Sequence, residues 1–171
     1  QPKLEAFLPE YPVTVVLPLV RRKTLAWIDQ ESGEASNPRR SPKIGRPGDA
    51  LPELYPLLTW LEHPQLTIAL VMLDVAEFRL QDGWGNDGKR GSHRAERVPE
   101  ALGETLVLSS CADLKQLLPD GLPTPFTSAD FARLTRLRGR KLSSAIAVLR
   151  KSGVIERAGK EKNAYLYRPA P

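Results

Sequence analysis

The pattern that most restricts the fold lies in the last quarter of the chain, residues 127–168. Its first segment, residues 127–137, begins with Thr-Ser-Ala-Asp, which is typical of a helix N-cap, and continues with apolar residues at helical spacing. Four apolar residues of the second segment are spaced as on one face of a helix: Leu142, Ala145, Ile146 and Leu149. Gly153 suits the end of that helix because glycine readily adopts the left-handed conformation found there. We therefore predict two helices joined by a turn near Gly139.

Two short strands and a basic turn follow these helices. Residues 154–155 and 164–167 have the β-branched and aromatic composition of strands, and residues 159–163 form the polar turn between them. A helix, a turn, a second helix and a basic hairpin in this order resemble the winged helix-turn-helix superfamily. That resemblance implies that the second helix enters the major groove of DNA and that the hairpin lies along the phosphates.

The distribution of charge favours an anionic partner for this segment. Residues 127–171 hold 11 Lys and Arg against 3 Asp and Glu, a net charge of +8, whereas residues 1–126 carry −3 of the chain's +5. Arginine and lysine bind guanine edges or phosphate, and serine donates to either, so the residues outside the apolar stripe are candidates for DNA contact. The predicted contact residues are Arg138, Arg140, Lys141, Ser143, Ser144, Ala147, Lys151, Lys160 and Lys162. The alternative is a solvated helix face that docks protein.

The preceding residues combine apolar segments of strand length with amphipathic helices. Strands are predicted at residues 13–20, 24–29, 66–73 and 104–108, and helices at residues 49–62 and 110–118. This mixture predicts an α+β body, a mixed α/β layer, over residues 1–108. A helix and a proline-rich linker at residues 109–126 then lead to the winged helix-turn-helix at residues 127–171.

Several segments of this body carry a second resemblance. Lys-Leu-Glu-Ala-Phe-Leu at residues 3–8, the apolar segments at 11–20 and 23–29, and Arg-Arg-Ser-Pro-Lys at 39–43 resemble the second half of a group of uncharacterised bacterial proteins. In that group, a half similar to the PD-(D/E)XK nuclease fold precedes a winged helix. The resemblance implies that the body is the latter half of a restriction-endonuclease-like fold. It also places the acidic pair and the Glu-x-Lys sequence of a nuclease upstream of Gln1, so we expect this chain to be part of a longer polypeptide.

A metal-dependent site inside the chain would need carboxylates that lie close together. Asp74 and Glu77 follow the third predicted strand, and Asp29 would join them if the second and third strands pair. The alternative is the polar end of a strand, where carboxylates are common. His63 and His93 lack the spacing of metal ligands, and no cysteine pair accompanies them. We predict no catalytic residue, metal or cofactor in this chain.

Two polar segments, residues 37–48 and 82–97, are predicted to be surface loops with additional cations. Proline and glycine keep the first extended, so that its backbone N–H groups can face a phosphate. The cations of the two loops are Arg39, Arg40, Lys43, Arg46, Lys89, Arg90, Arg94 and Arg97. They lengthen the DNA footprint if they share a face with the second helix; otherwise they serve solubility or bind an acidic partner.

No apolar segment reaches the roughly 20 residues needed to cross a bilayer, so no membrane partner is expected. The single Cys111 excludes an intramolecular disulfide and no signal peptide is visible, which favours a cytoplasmic location. The sequence thus predicts a protein that binds nucleic acid, above all duplex DNA, through its C-terminal segment. Two alternatives stay open: a PD-(D/E)XK-like nuclease whose site lies upstream of Gln1, and a subunit of a larger complex that docks protein or RNA. A protein partner or a homodimer is compatible with each.

Overall fold

The computed structural model describes residues 2–84 and 90–170, with side chains described for residues 2–80 and 92–170. The α-helices of this part of the chain are α1 (Pro2–Phe7), α2 (Leu51–Leu54), α3 (Ser128–Thr135) and α4 (Gly139–Lys151). Short 3-10 helices span Pro47–Ala50, Tyr55–Leu57 and Cys111–Leu117. The strands are β1 (Val13–Ile28), β2 (Arg39–Arg40), β3 (Leu66–Trp84), β4 (Arg90–Leu108), β5 (Phe126–Thr127), β6 (Ile155–Glu161) and β7 (Ala164–Pro169).

The strands form two sheets. One has the order β2-β1-β3-β4, and the other has the order β5-β7-β6. Strand β2 runs antiparallel to β1, with Arg40 opposite Thr24 and Arg39 opposite Leu25. In the smaller sheet both neighbours of β7 run antiparallel to it.

The apolar residues at the start of strand β3 alternate, so that they lie on one face of the sheet. Four alternate residues are buried: Leu66, Ile68, Leu70 and Met72. Because successive side chains of a strand point to opposite faces, this spacing places all four on one side of the sheet. The next buried residues are Val75 and Glu77, so the alternation changes phase after Met72 and brings a carboxylate to a buried position.

The chain forms two compact units. Unit 1 comprises residues 1–17, 47–70 and 106–171, and unit 2 comprises residues 18–46 and 71–105. Strands β1, β3 and β4 each contribute residues to both units. These units differ from the predicted segments 1–108, 109–126 and 127–171, since residues 127–171 share a unit with α1 and α2.

The core of unit 1 fixes which side of α4 faces inwards. Ala145, Val148 and Leu149 are fully buried, and α4 packs against α2. Burial of a leucine or valine side chain contributes roughly 1.5–3 kcal/mol. The predicted apolar stripe of this helix is confirmed at Ala145, Ile146 and Leu149, while Leu142 is only half-buried. The side chains on the opposite surface of α4 must therefore face outwards.

Aromatic packing joins three C-terminal elements of unit 1, namely β5, α3 and β7. The ring of Phe126 lies 6.2 Å from that of Phe131 and 5.8 Å from that of Tyr167, measured between centroids. Helix α3 begins with a capping box, in which the Asp130 amide donates to the Thr127 hydroxyl and the Thr127 amide donates to the Asp130 carboxylate. The predicted N-cap of the first helix is confirmed by this geometry.

The predicted fold class is wrong. Strand accounts for 42% of the residues and helix for 28%, so the chain is mainly β and is not an α/β layer, a half of a restriction-endonuclease-like fold, or an α/β body with an added winged helix-turn-helix domain. Two features of the chain account for the difference. The polar segment 82–97 largely belongs to β3 and β4, because a sheet with a solvated face accepts polar side chains. The helical spacing of residues 49–62 is interrupted at Pro56, which has no backbone N–H to donate, whereas Pro52 occupies the first turn of α2, where proline is tolerated. Only a short α2 and 3-10 turns form.

No helix in the described part of the chain has the length and apolar character needed to span a membrane.

In unit 2, the segment between β2 and residue 46 lies directly against the backbone of β1. The amide of Ser41 donates to the Lys23 carbonyl at 2.7 Å, and the amide of Gly45 donates to the Arg21 carbonyl at 2.8 Å. Gly45 is buried, and a Cβ atom at this position would collide with the carbonyl of Val20. Only glycine allows this close approach between the two backbones.

We expect Gly45→Ala to lower the free energy of unfolding by at least about 2 kcal/mol, because the colliding atoms belong to rigid backbone. Urea denaturation followed by circular dichroism measures the change. Ile44→Ala is the matched control, since the Ile44 side chain is 64% exposed and its loss should change stability by less than about 0.5 kcal/mol. Equal stabilities for the two variants would contradict the close approach.

Candidate nucleic-acid interface

The outward surface of α4 presents small side chains bordered by cations. Ser143, Ser144 and Ala147 lie at its centre, because residues three and four apart share one side of a helix. Arg140 and Lys151 extend the same row at its two ends and are exposed. A surface with short side chains at its centre lets the helix backbone approach a flat or grooved partner closely.

The turn that leads into α4 adds cations at the helix N terminus. Arg136 is exposed and adopts a left-handed conformation with φ of 60°, and Arg138 is the exposed N-cap residue, which makes no side-chain cap hydrogen bond. Arg140 and Lys141 follow, and the first turn holds no acidic residue. Positive side chains at the positive end of a helix dipole are unfavourable, by roughly 0.3–1 kcal/mol each. A bound anion at this end would interact favourably with both the helix dipole and these cations, and would offset that repulsion.

The described residues of unit 1 do not neutralise these cations. Its C-terminal ion pairs join Arg133 to Asp130 at 3.0 Å and Arg168 to Glu156 at 2.6 Å. Among the described residues, no ion pair involves Arg136, Arg138, Arg140, Lys141, Arg150, Lys151 or Lys162. Their charges are therefore available to a partner molecule.

The β6–β7 hairpin carries a second row of cations. Glu161 pairs with Ala164, so the turn consists of Lys162 and Asn163, a narrower tip than the predicted 159–163. The Arg157 guanidinium lies 4.0 Å from the centroid of the Tyr165 ring, and the Lys160 ammonium lies 5.0 Å from it. The ring holds both side chains in place without cancelling their charge.

The predicted contact residues all lie in unit 1. Seven are exposed: Arg138, Arg140, Lys141, Ser143, Lys151, Lys160 and Lys162. Ser144 and Ala147 are half-buried. Arg136 and Arg157 are not among the predicted contact residues. The excess of basic residues over residues 127–171 is the sequence signal that could have identified them. Contact of these residues with nucleic acid stays a prediction.

Unit 2 contains a different arrangement, a buried carboxylate surrounded by cations. The Glu77 side chain is 2% exposed, and its Oε2 accepts hydrogen bonds from Arg97 Nη2 at 2.7 Å and from Lys23 Nζ at 3.1 Å. Its Oε1 accepts from Arg79 Nε at 3.0 Å, and Arg79 Nη1 also donates to Ser92 Oγ at 3.4 Å. We call these five residues the Glu77 cluster.

Three neighbouring strands bring this cluster together. Arg21 on β1 contacts Asp74 on β3, and further along both strands Lys23 contacts Glu77, so these two contacts advance in the same direction, as between parallel strands. The contacts from Glu77 to Arg97 and from Arg79 to Ser92 advance in opposite directions on β3 and β4, as between antiparallel strands.

The cations control the ionisation of Glu77. Burial by itself would raise the pKa of this carboxyl, but hydrogen bonds from Arg97, Lys23 and Arg79 outweigh burial and lower the pKa from 4.5 to about 2. Glu77 is consequently ionised at neutral pH. One negative charge then faces three positive charges.

The other carboxylates considered for a metal site have partners of their own. Arg21 donates to both oxygens of Asp74, at 2.8 and 2.7 Å, and Gly103 leaves room for its guanidinium. The Asp29 carboxylate accepts from the amides of residues 31 and 32 in a turn. The three carboxylates considered for a metal site therefore do not converge, and no group of three or more His, Cys, Asp or Glu suited to a metal occurs in the part of the chain that the structure describes.

The predicted secondary basic residues fall in several places. Arg39 and Arg40 are exposed on β2, Lys43 and Arg46 are exposed on the following segment, Arg94 is exposed on β4, and Arg97 belongs to the Glu77 cluster. Lys89 and the side chain of Arg90 lie outside the described residues. The contribution of Lys23 to the cluster was missed, because no local pattern links a lysine of β1 to a glutamate 54 residues away.

The lowered pKa of Glu77 makes a contribution to stability that depends on pH. Because the folded-state pKa of about 2 lies below the ordinary value of 4.5, the ionised carboxylate stabilises the fold fully above pH 4.5, and this stabilisation is lost as the pH falls towards 2. We expect Glu77→Gln to lower the free energy of unfolding at pH 7 by on the order of 2 kcal/mol, a value reduced for the partial exposure of the cations.

Urea denaturation between pH 2.5 and pH 7 tests this expectation. The difference in stability between the original chain and Glu77→Gln should shrink as the pH falls below 4.5, since the protonated glutamate resembles glutamine. Glu96→Gln serves as the control, because Glu96 is exposed on β4 and takes part in no ion pair among the described residues. A difference that stays constant over this range would contradict the proposed coupling.

Comparison with known proteins finds a distant relative whose own sequence is longer than this chain. An uncharacterised protein of Treponema pallidum (strain Nichols) is 26% identical over 169 residues, which cover 99% of this chain and 66% of that protein. The chain therefore spans slightly less than two thirds of the length of that relative. No solved structure matches the chain. Neither a winged helix nor a nuclease is among these findings.

A family model accounts for the larger part of the chain. It matches residues 1–109 of 171, a span that includes unit 2 and part of unit 1. Because this match covers more than half of the sequence, the chain belongs to the family described as Domain of unknown function (DUF8091).

Proposed function

We propose that this chain binds duplex DNA with the outward surface of α4 and the β6–β7 hairpin. The observation that carries the proposal is the set of exposed cations on and beside α4 that have no ion-pair partner among the described residues. They belong to a segment with a net charge of +8. Unpaired positive charge concentrated on one segment is the electrostatic footprint of a polyanion partner.

The dimensions of α4 suit the major groove. Its 13 residues extend about 20 Å, and a helix with short side chains on its outer surface fits a groove about 12 Å wide. Ser143, Ser144 and Ala147 would face the base edges, because their small size permits close approach. Arg140 lies on the same surface and has the fork of donors that pairs with guanine.

The remaining cations suit the phosphates on either side of the groove. Arg138 and Lys141 stand at the N terminus of α4, where unsatisfied backbone N–H groups also favour an anion. Lys160 and Lys162 on the hairpin reach outwards from the same unit of the chain. Phosphate contacts of this kind supply affinity and register without reading sequence.

We also propose that this chain acts in the cytoplasm and that it catalyses no reaction. The competing partner is an acidic protein or a folded RNA, which would use the same cations. Salt dependence and competition between double-stranded DNA and double-stranded RNA separate these partners, because the major groove of A-form RNA is too narrow for a helix such as α4.

Removing hairpin charge should weaken binding to all sequences alike. We expect Lys160→Ala combined with Lys162→Ala to reduce the slope of log affinity against log salt by about 2, since two phosphate contacts are lost. Fluorescence anisotropy with a random-sequence duplex at 50–200 mM salt measures the slope.

The control for this experiment is Arg168→Ala, which removes a hairpin cation that is already paired with Glu156 at 2.6 Å. It should leave the slope nearly unchanged. Binding by the original chain that is insensitive to salt over this range would overturn the proposal, because phosphate-driven association always releases counterions.

Removing Arg140 should instead change sequence preference. We expect Arg140→Ala to cost about 1–3 kcal/mol on the preferred duplex and to relax the preference at one base pair. Selection from a randomised duplex pool, followed by affinity measurements on the selected sequences, gives both quantities. Arg133→Ala, which removes an α3 cation paired with Asp130, is the matched control. Identical preferences for the two variants would exclude base contact by Arg140.

A further inference from the structure

We propose that the Glu77 cluster, made of Lys23, Glu77, Arg79, Ser92 and Arg97, is a binding site for a phosphomonoester dianion. The site lies in unit 2, and its ligand contacts would involve no residue of α4 or of the β6–β7 hairpin. The inference therefore stands or fails independently of the proposed function of α4 and the hairpin.

The first argument is the balance of charge. Three cations donate to one carboxylate, which leaves an excess of two positive charges within the cluster. The neighbouring Asp74 does not compensate, because both of its oxygens are taken by Arg21. Glu100 accepts from the Thr24 hydroxyl at 3.4 Å and makes no described contact with the three cations.

The second argument is the number of donors that stay available. Glu77 and Ser92 occupy two nitrogens of Arg79, and Glu77 occupies one nitrogen of Arg97 and the Lys23 ammonium. A guanidinium has five N–H donors and an ammonium has three, so most donors have no protein acceptor in the described part of the chain. The side chains of Lys23 and Arg79 are 25% exposed and that of Arg97 is 37% exposed, so a ligand can reach them from solvent.

The third argument is the match between this excess and one class of ligand. A phosphomonoester carries about −1.5 to −2 charges near pH 7 and offers three oxygens, whereas a phosphodiester within a nucleic-acid strand carries a single charge. Paired arginine forks favour the geometry of phosphate oxygens. Strands β1, β3 and β4 supply every member of the cluster, which keeps the donors in fixed positions.

Glu77 acts as a positioning residue in this site. Its two oxygens hold three cations that would otherwise repel one another, and its burial keeps the carboxylate away from the ligand. The open sides of the guanidinium and ammonium groups then form the binding surface. The phosphate would come either from the end of a nucleic-acid strand or from a small phosphorylated molecule, since both present the same dianion.

Titration of the chain with inorganic phosphate tests the site. Phosphate and sulfate should raise the thermal unfolding midpoint in a saturable manner, and chloride at equal ionic strength should not. Arg97→Met should weaken phosphate binding about tenfold or more, as expected for the loss of a charged hydrogen-bond donor. Arg94→Met is the control, because Arg94 is an exposed arginine of the same strand without a described partner. Equal effects of phosphate and chloride, or equal affinities of the two variants, would overturn the proposal.

A measurement on the unmodified chain covers the case in which Arg97→Met does not fold. Amide chemical shifts recorded during the phosphate titration should change at residues 23, 79, 92 and 97. Changes confined to residues 136–162 would show that phosphate binds only the α4 surface, and the Glu77 cluster would then be excluded as a site. The DNA-binding proposal would survive that result, so the two failures can be told apart.

Two further ligands identify the source of the phosphate. A single-stranded oligonucleotide with a 5′-phosphate is compared with the same strand ending in a 5′-hydroxyl, and glycerol 3-phosphate is titrated separately. Preference for the phosphorylated strand that disappears in Arg97→Met assigns the site to a strand end. Binding of glycerol 3-phosphate with no such preference assigns it to small phosphomonoesters. Failure of both esters to bind would overturn the assignment even if inorganic phosphate binds.

Discussion

The burial of one side of α4 is the constraint on which the proposed interface depends. Ala145, Val148 and Leu149 are fully enclosed, and α2 packs against the same helix. A helix has only one surface left when its apolar side is covered, so the cations of α4 must face outwards. The packing that stabilises unit 1 therefore also exposes the cations of α4 to solvent.

The excess positive charge is arranged differently in the two units. In unit 1, Arg138, Arg140 and Lys141 stand at a helix N terminus, where the dipole disfavours them until an anion arrives. In unit 2, Lys23, Arg79 and Arg97 surround the buried Glu77, which holds them close together at the cost of unbalanced charge. Both arrangements leave positive charge that the described protein groups do not neutralise. The two proposals therefore assign them different phosphates: the diester of a duplex to unit 1 and a monoester to unit 2.

Errors in the sequence interpretation came from reading local polarity as local structure. The segment around Arg94 and Arg97 is polar, a pattern that predicts a loop, yet it belongs to β4 because its neighbour β3 supplies the backbone hydrogen bonds. Residues 49–62 have helical spacing, but Pro56, which lacks a backbone N–H, limits regular helix to four residues. The length of a strand thus depended on its neighbouring strands, and the length of the helix depended on the backbone N–H groups available to it. The apolar pattern alone reveals neither.

The amino-acid sequence by itself determined the elements of the C-terminal segment and its charge. The apolar stripe of α4, the end of the helix near Gly153, the hairpin around Lys162 and the net +8 depend on residues close together in the chain. Only the tertiary structure decided that Lys23 and Arg97 would meet at Glu77, across separations of 54 and 20 residues. Such contacts follow from the order and register of neighbouring strands, which are set by packing over the whole sheet and leave no periodic trace in the sequence.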